Sequence, residues 1–452
     1  MEAYSFICHN YTGDCDCITL IGFSRGAFTA RCIADLIHKA GLLTKSGLYY
    51  LTQLYKFWAD GLFSDDSNLP PDFREKVLKD RSQLRRGVHI ESCALWDTVS
   101  SLGLPRLGPF GPRAPEKLNF VNSDWCEGIE HVFQGLSLHE PRQPFLAIVL
   151  RPQAKRDLRQ LHQCWFMGYH SDIGGGSKHE CLAQFALAWM IARLDPYVEF
   201  DSKSFWEPAP QDSSWRLSLA SGTDPSQQGK RDIRRVPQTR LIFFTNLVSV
   251  SAVIRDPRNL LYFFWGSKNR EPRRHFWTGE GFSEVDPSTD DHNISGEFLH
   301  ITVRILTKLK SFRQCPSLEG IEPEGIEPEN PAGRWVWKLQ PQQRRSWLWN
   351  RPQAPVSRYE VYEDSLTDVE KSLLERWLNS ELDALGRRAE ENDPPPDTLI
   401  PKLRERLGQL ILKSPESYSP ETCNCPKKVN LAENNKPLKP PIIWDGDEDQ
   451  RC

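Results

Sequence analysis

The segment Gly22-Phe-Ser24-Arg-Gly26 constrains this chain more than any other, because it lies between a strand-like run and a helix-like one. Cys17 to Gly22 is apolar, β-branched and bounded by turn formers, which predicts a buried strand. From Ala27 onward, Phe28, Cys32, Ile33, Leu36, Ile37 and Ala40 recur at helical spacing, and Gly41 closes the pattern as a C′ residue. A G-x-S-x-G sequence in that setting predicts a nucleophile elbow, a strained turn presenting the Ser24 hydroxyl at a sheet edge. Gly22 and Gly26 are expected there because a Cβ would collide with strand and helix. The backbone N–H of Arg25, at the positive end of the helix, is then the expected oxyanion donor. A glycine turn carrying a surface serine is the plain alternative.

A serine hydroxyl is a weak nucleophile at neutral pH and needs a general base, usually oriented by an acid. Further strands are predicted at Val88 to Trp96 and Gln163 to Tyr169, and each ends in polar residues. Asp97 follows the first and His170 the second, so both fall on the edge that carries Ser24, as acid and base in the order Ser, Asp, His. Asp172 is an alternative acid, two residues beyond His170. Gly174, Gly175 and Gly176 follow as a candidate anion nest, or as a plain glycine-rich connection. Ser177 and Glu180 are spaced as a capping box for the next helix. His139 and His300 are expected to be structural. Cys15-x-Cys17 and Cys423-x-Cys425 lack two further ligands at finger-like spacing, so no metal site is expected.

Strands alternating with helices predict an α/β fold with a mostly parallel sheet and its site at the strand C-terminal ends. The expected divisions are a core at 1–195, an extension packed on it at 196–310, a low-complexity linker at 311–333 carrying the GIEPE repeat, a Trp-rich hairpin with an amphipathic helix at 334–412, and a disordered tail at 413–452. Trp335-Val-Trp337 and Trp347-Leu-Trp349 are the two expected hairpin strands, and Thr367 with Glu370 opens the helix. The C-terminal part is loop-rich: 17 of the 34 prolines fall after Lys310.

A net charge of -3 excludes the electrostatic footprint of nucleic-acid binding. Twelve unevenly spaced cysteines and an N-terminus without an apolar leader pattern predict a reducing, cytoplasmic setting. The apolar run Leu241 to Ile254 is too short and polar to span a bilayer; burial is expected, with peripheral membrane contact the lesser reading.

Three segments together resemble a known family, the α/β-hydrolase domain of largely uncharacterised fungal and bacterial proteins that includes the type VI secretion phospholipase effectors. They are Ile21-Gly-Phe-Ser-Arg-Gly-Ala-Phe-Thr-Ala-Arg31, Leu95-Trp-Asp-Thr-Val-Ser-Ser-Leu-Gly103 and Trp165-Phe-Met-Gly-Tyr-His-Ser-Asp-Ile-Gly-Gly-Gly176, in the family's order. Weaker echoes occur at Leu136 to Glu140 and His300 to Arg304. The resemblance implies lipase, phospholipase or carboxylesterase chemistry on a lipid or small ester, with Ser24 as nucleophile and no cofactor. It also implies a partial α/β-hydrolase. Only 17 residues precede Ile18, where the family has further strands, and Ser177 stands where an aromatic residue is expected. Loss of strands leaves an apolar sheet edge open to a protein partner and removes one oxyanion donor. The alternative expectation is therefore a catalytically impaired truncated hydrolase or a non-catalytic interaction module.

Overall fold

The computed structural model describes residues 1–13, 15–99, 126–142, 145–151, 160–176, 181–200, 269–273, 275–277, 282–284, 296–308, 315, 318, 321, 323–324, 335–339 and 359–374. The Leu241 run, the Ser177 capping box, the second Trp pair and the C-terminal tail lie outside them. The described residues all fall within one compact unit, Met1–Ser417.

The sheet has five parallel strands whose spatial order is their chain order: β1 (Thr19–Phe23), β2 (Ile90–Trp96), β3 (Ile129–Ser137), β4 (Leu161–Phe166) and β5 (Glu297–Leu299). Against the predicted bounds, β1 starts two residues later and ends one later, β2 starts two later and keeps its end, and β4 starts two earlier and ends three earlier. Register aligns their ends, with Phe23 opposite Trp96, Trp96 opposite Gly135, and Ser137 opposite Phe166.

Helices cover both faces, as an all-parallel sheet requires. On one side α1 (Glu2–Asn10), α2 (Arg25–Ala40) and α3 (Leu51–Ala59) pack against Cys93, Leu95 and Val132. On the other side, beyond the short α4 (His170–Gly174), α5 (Cys181–Leu194) brings Ala186, Trp189 and Met190 onto Ala94, Phe133 and Phe166. Alternation along β2 and β3 sends neighbouring residues to opposite faces, so the two cores share one backbone layer. Gly41 ends α2 at φ 94°, and the Tyr4 hydroxyl ties α1 to that turn through the Gly41 carbonyl and the Leu43 N–H.

Three features lie within the expected C-terminal divisions. The stretch expected to pack on the core supplies β5 itself, followed by α6 (Ile301–Lys308), so the sheet does not end near residue 195. Within the expected linker, Cys315 and Leu318 are each 1% exposed and join the core of Trp165, Leu299 and Val303. The first Trp strand, β6 (Val336–Leu339), pairs antiparallel with β7 (Tyr359–Tyr362), a segment the Trp pattern did not mark. The helix beginning at 368 is entered through Thr367, whose hydroxyl accepts the Glu370 N–H.

Buried polar and charged pairs fix these late segments to α5, α6 and the residue after β5. Asp364 accepts hydrogen bonds from Trp189 at 2.8 Å and Arg193 at 2.6 Å; Glu363 pairs with Arg304; Glu370 meets His300 Nε2 at 2.7 Å. Removing one partner of a buried pair strands the other charge at a cost of about 3–5 kcal/mol. Asp364→Ala is therefore expected to lower stability by that amount in urea unfolding, with tryptophan fluorescence and circular dichroism tracing one transition. A separate early transition of the C-terminal segment would contradict its place in the core.

Candidate active site

Ser24 sits between the last residue of β1 and the first of α2 with φ 59° and ψ -121°, a conformation rare for a side-chain-bearing residue. The strain is held by its neighbours. The Ser24 N–H donates to the Trp96 carbonyl at 2.8 Å, extending the β1–β2 ladder one residue past the strand. Gly22 allows the helix to turn back over the strand: a Cβ there would lie 2.5 Å from the Gly26 carbonyl oxygen and 2.6 Å from the Ala27 nitrogen. Gly26 is different. It is exposed in the first turn of α2 and a Cβ there meets nothing within 4 Å, so the expected collision applies to Gly22 alone. Arg25 is the first residue of α2, and at that position a helix offers no acceptor for the backbone N–H.

The three strand ends bring Ser24, Asp97 and His170 into contact. His170 Nε2 lies 2.7 Å from Ser24 Oγ, and Nδ1 lies 2.6 Å from Asp97 Oδ2. Asp97 is fully buried and His170 nearly so, while Ser24 is half-buried at the rim. Asp97 also holds positive φ, 45°, and its N–H donates to the Gly135 carbonyl at 2.8 Å. Asp172 faces elsewhere: its Oδ2 accepts the Tyr169 N–H at 2.9 Å and closes the first turn of α4.

The segment after β3 supports the histidine. Glu140 and Arg142 form a buried two-pronged pair at 2.6 and 2.8 Å, and Glu140 Oε2 also accepts the His170 N–H at 3.3 Å. Arg142 lies over the Phe145 ring, 3.8 Å from its centroid, and that ring meets His170 edge-on at 5.0 Å. Phe23 packs the other side at 4.6 Å. His139 Nδ1 accepts the Gly168 N–H at 3.0 Å. His300 sits between Glu370 and the Thr302 hydroxyl.

One buried group at this site had no signal in the sequence. Arg270, 2% exposed, grips Asp97 with Nη1 on Oδ1 at 2.5 Å and Nη2 on Oδ2 at 3.0 Å. It stands alone in Lys268-Asn-Arg-Glu-Pro272, without periodicity or motif, and only the fold brings it 173 positions back to Asp97. Burial by itself would raise the Asp97 carboxyl; the Arg270 charge, with the hydrogen bond and charge of His170, outweighs it and holds the group well below the usual carboxylate range.

Gly174 and Gly175 shape the exit of α4. A Cβ on Gly174 would enter the Phe23 ring, so the end of α4 lies directly on β1. Gly175, at φ 87° and ψ 178°, turns the chain out of α4 and departs from the right- and left-handed helical alternation of an anion nest. Among the described residues no group of three or more metal-ligating side chains gathers, and no helix is long and apolar enough to cross a membrane.

The contrast between the elbow glycines is measurable. Gly22→Ala is expected to destabilise by more than 1 kcal/mol in thermal or urea unfolding, because backbone must move. Gly26→Ala is expected to be neutral or stabilising by up to about 1 kcal/mol, as glycine is the poorer helix former. Equal costs at the two positions would refute this account of the turn.

Comparison with known proteins gives two findings. The family model described as "T6SS, Phospholipase effector Tle1-like, catalytic domain" matches residues 1–193, which span β1 to β4 and Ser24, Asp97 and His170. The uncharacterised protein YEL023C of Saccharomyces cerevisiae is 32% identical over 161 residues, covering 33% of this chain and 21% of that protein. This chain thus spans about a fifth of the length of that curated relative. No solved structure matches. Over its first 193 residues the chain is similar to a phospholipase effector catalytic domain.

Proposed function

We propose that this chain is a serine hydrolase that cleaves carboxylic esters of lipids, with Ser24 as nucleophile, His170 as general base and Asp97 as the acid that orients it. The observation that carries the proposal is Ser24 Oγ 2.7 Å from His170 Nε2 on a strained, half-exposed turn. Backbone strain of this kind costs about 1–3 kcal/mol and collects at functional sites.

In this scheme Ser24 Oγ attacks the ester carbonyl as its proton passes to His170 Nε2. Asp97 keeps Nδ1 protonated and stabilises the imidazolium. The tetrahedral oxyanion is met by the Arg25 N–H at the positive end of α2. When the intermediate collapses, His170 returns the proton to the departing alkoxide, leaving acyl-Ser24. Water then adds to the acyl carbon with His170 again as base, releasing the acid and restoring the serine. Every proton is accounted for by side chains already in contact, and the scheme calls for no cofactor. The lipid class rests on the matched family model, whose description names a phospholipase. Free cysteines, Cys15 and Cys17 among them exposed, suit the reducing cytoplasmic setting we assign.

A second reading, an interaction module whose turnover depends on a partner, is favoured by β1. Among the described residues this strand pairs on one side only, and Ile21 at its centre is 61% exposed.

Labelling with a fluorophosphonate probe, with turnover of p-nitrophenyl butyrate and a fluorogenic phospholipid alongside, tests the proposal. Ser24→Ala is expected to abolish labelling and turnover, and Asp97→Asn to slow turnover by about 10⁴-fold, as loss of the orienting acid does in serine proteases. Equal labelling of the wild type and Ser24→Ala would refute the serine mechanism. A folded wild type that neither labels nor turns over would favour the interaction module.

A further inference from the structure

Asp97 is held by more donors than orienting one imidazole requires. Oδ1 accepts the Ser137 N–H at 3.0 Å and Arg270 Nη1; Oδ2 accepts the Ser137 hydroxyl at 3.2 Å, Arg270 Nη2 and His170 Nδ1. The same guanidinium donates to the Ser137 carbonyl at 2.9 Å, to its hydroxyl oxygen at 2.8 Å and to the Phe145 carbonyl. It therefore joins the turn after β2, the end of β3 and the residue whose ring meets His170 edge-on. Its own segment is fixed to the sheet and to β7: the Arg273 N–H donates to Glu297 Oε2 at 2.8 Å, and the Arg273 side chain donates to the Glu360 carbonyl at 2.6 Å.

We propose that Arg270 is a positioning residue, fixing the plane of the Asp97 carboxylate so that Oδ2 faces His170 Nδ1, and offsetting its charge so that the Asp97–His170 pair takes up a proton at lower pH than it would without the arginine. The catalytic part rests on the serine-hydrolase assignment; the structural part does not. A guanidinium fork fixes a carboxylate in plane, which an ammonium cannot do. The charge argument follows from what surrounds His170. Asp97 faces Nδ1 and Ser24 faces Nε2; Phe23 and Phe145 flank the ring; Glu140 meets the backbone and is paired with Arg142; Asp172, on the same helix, is turned to Tyr169. With Arg270 in place, neutral imidazole plus aspartate is charge-balanced. Without it the pair carries one uncompensated negative charge and binds a proton more readily.

Two readouts test the proposal in the full chain: the downfield proton resonance of the Asp97–His170 hydrogen bond followed against pH and assigned by its loss in His170→Gln, and the pH dependence of fluorophosphonate labelling. Arg270→Gln is expected to move the midpoint of both titrations up by about one unit or more. Arg270→Lys keeps the charge and loses the fork; its midpoint is expected to stay within a few tenths of a unit while labelling slows about tenfold. On an Asp97→Asn background, Arg270→Gln is expected to change labelling less than about twofold, because residues acting through one another are not additive. The doubly substituted chain buries neither charge and, compared with Asp97→Asn alone, decides the matter if Arg270→Gln alone fails to fold. An unmoved midpoint in Arg270→Gln, wild-type labelling in Arg270→Lys, or an equal cost of Arg270→Gln with and without Asp97 would each overturn the proposal. If labelling proves independent of Ser24, the hydrolase assignment fails, and the proton resonance still reports on Arg270.

Discussion

The negative charge of Asp97 is the constraint around which the site is organised. A carboxylate with no exposed surface costs several kcal/mol unless its lone pairs are met and its charge is offset. Here the partners come from three directions: Ser137 from β3, His170 from the turn after β4, and Arg270 from beyond the matched region. Ser137 ends β3 and His170 follows the end of β4, so parallel register sets their spacing, while Arg270 lies outside the strands and is held through Arg273 on Glu297 and the Glu360 carbonyl. Satisfying that buried charge and aligning a histidine with a serine are the same geometric problem, and one arrangement answers both.

Strain and support are distributed accordingly. Ser24 and Asp97 follow neighbouring strands, and both hold positive φ without being glycine. Each has its N–H bonded to the carbonyl of the next strand, Trp96 for Ser24 and Gly135 for Asp97. The ladder thus continues one residue beyond each strand and carries the unusual conformation with it. The glycine at position 22 supplies the space on the other side, where α2 doubles back.

Local pattern made the strand-turn-helix at Ser24 legible, since hydrophobic spacing and glycine placement are encoded within about 25 residues. Asp97 and His170 were legible because polar residues at strand ends fall on one edge of a parallel sheet. The choice between Asp97 and Asp172 was open in sequence because both lie near that edge; backbone capping at Tyr169 takes up Asp172. Arg270 and β5 left no trace of this kind. A single arginine and a three-residue strand carry no periodicity, and their partners lie more than a hundred positions away. Gly26 shows the opposite failure: a motif position carries a collision argument that belongs to Gly22 alone.

The strand order has a consequence for how the molecule comes into being. Because spatial order follows chain order, β1 to β4 can assemble as synthesis proceeds, each strand adding to the edge left by the last. Asp97 follows the second of these strands, yet its guanidinium partner lies 173 positions later. Until that arginine emerges from the ribosome, the carboxylate must stay solvated or protonated, and the strand end that bears it cannot settle. The nascent sheet therefore carries an unfinished pocket for more than a third of the chain's length, and arrival of a remote segment, rather than formation of the nucleophile's own turn, is the event that completes it.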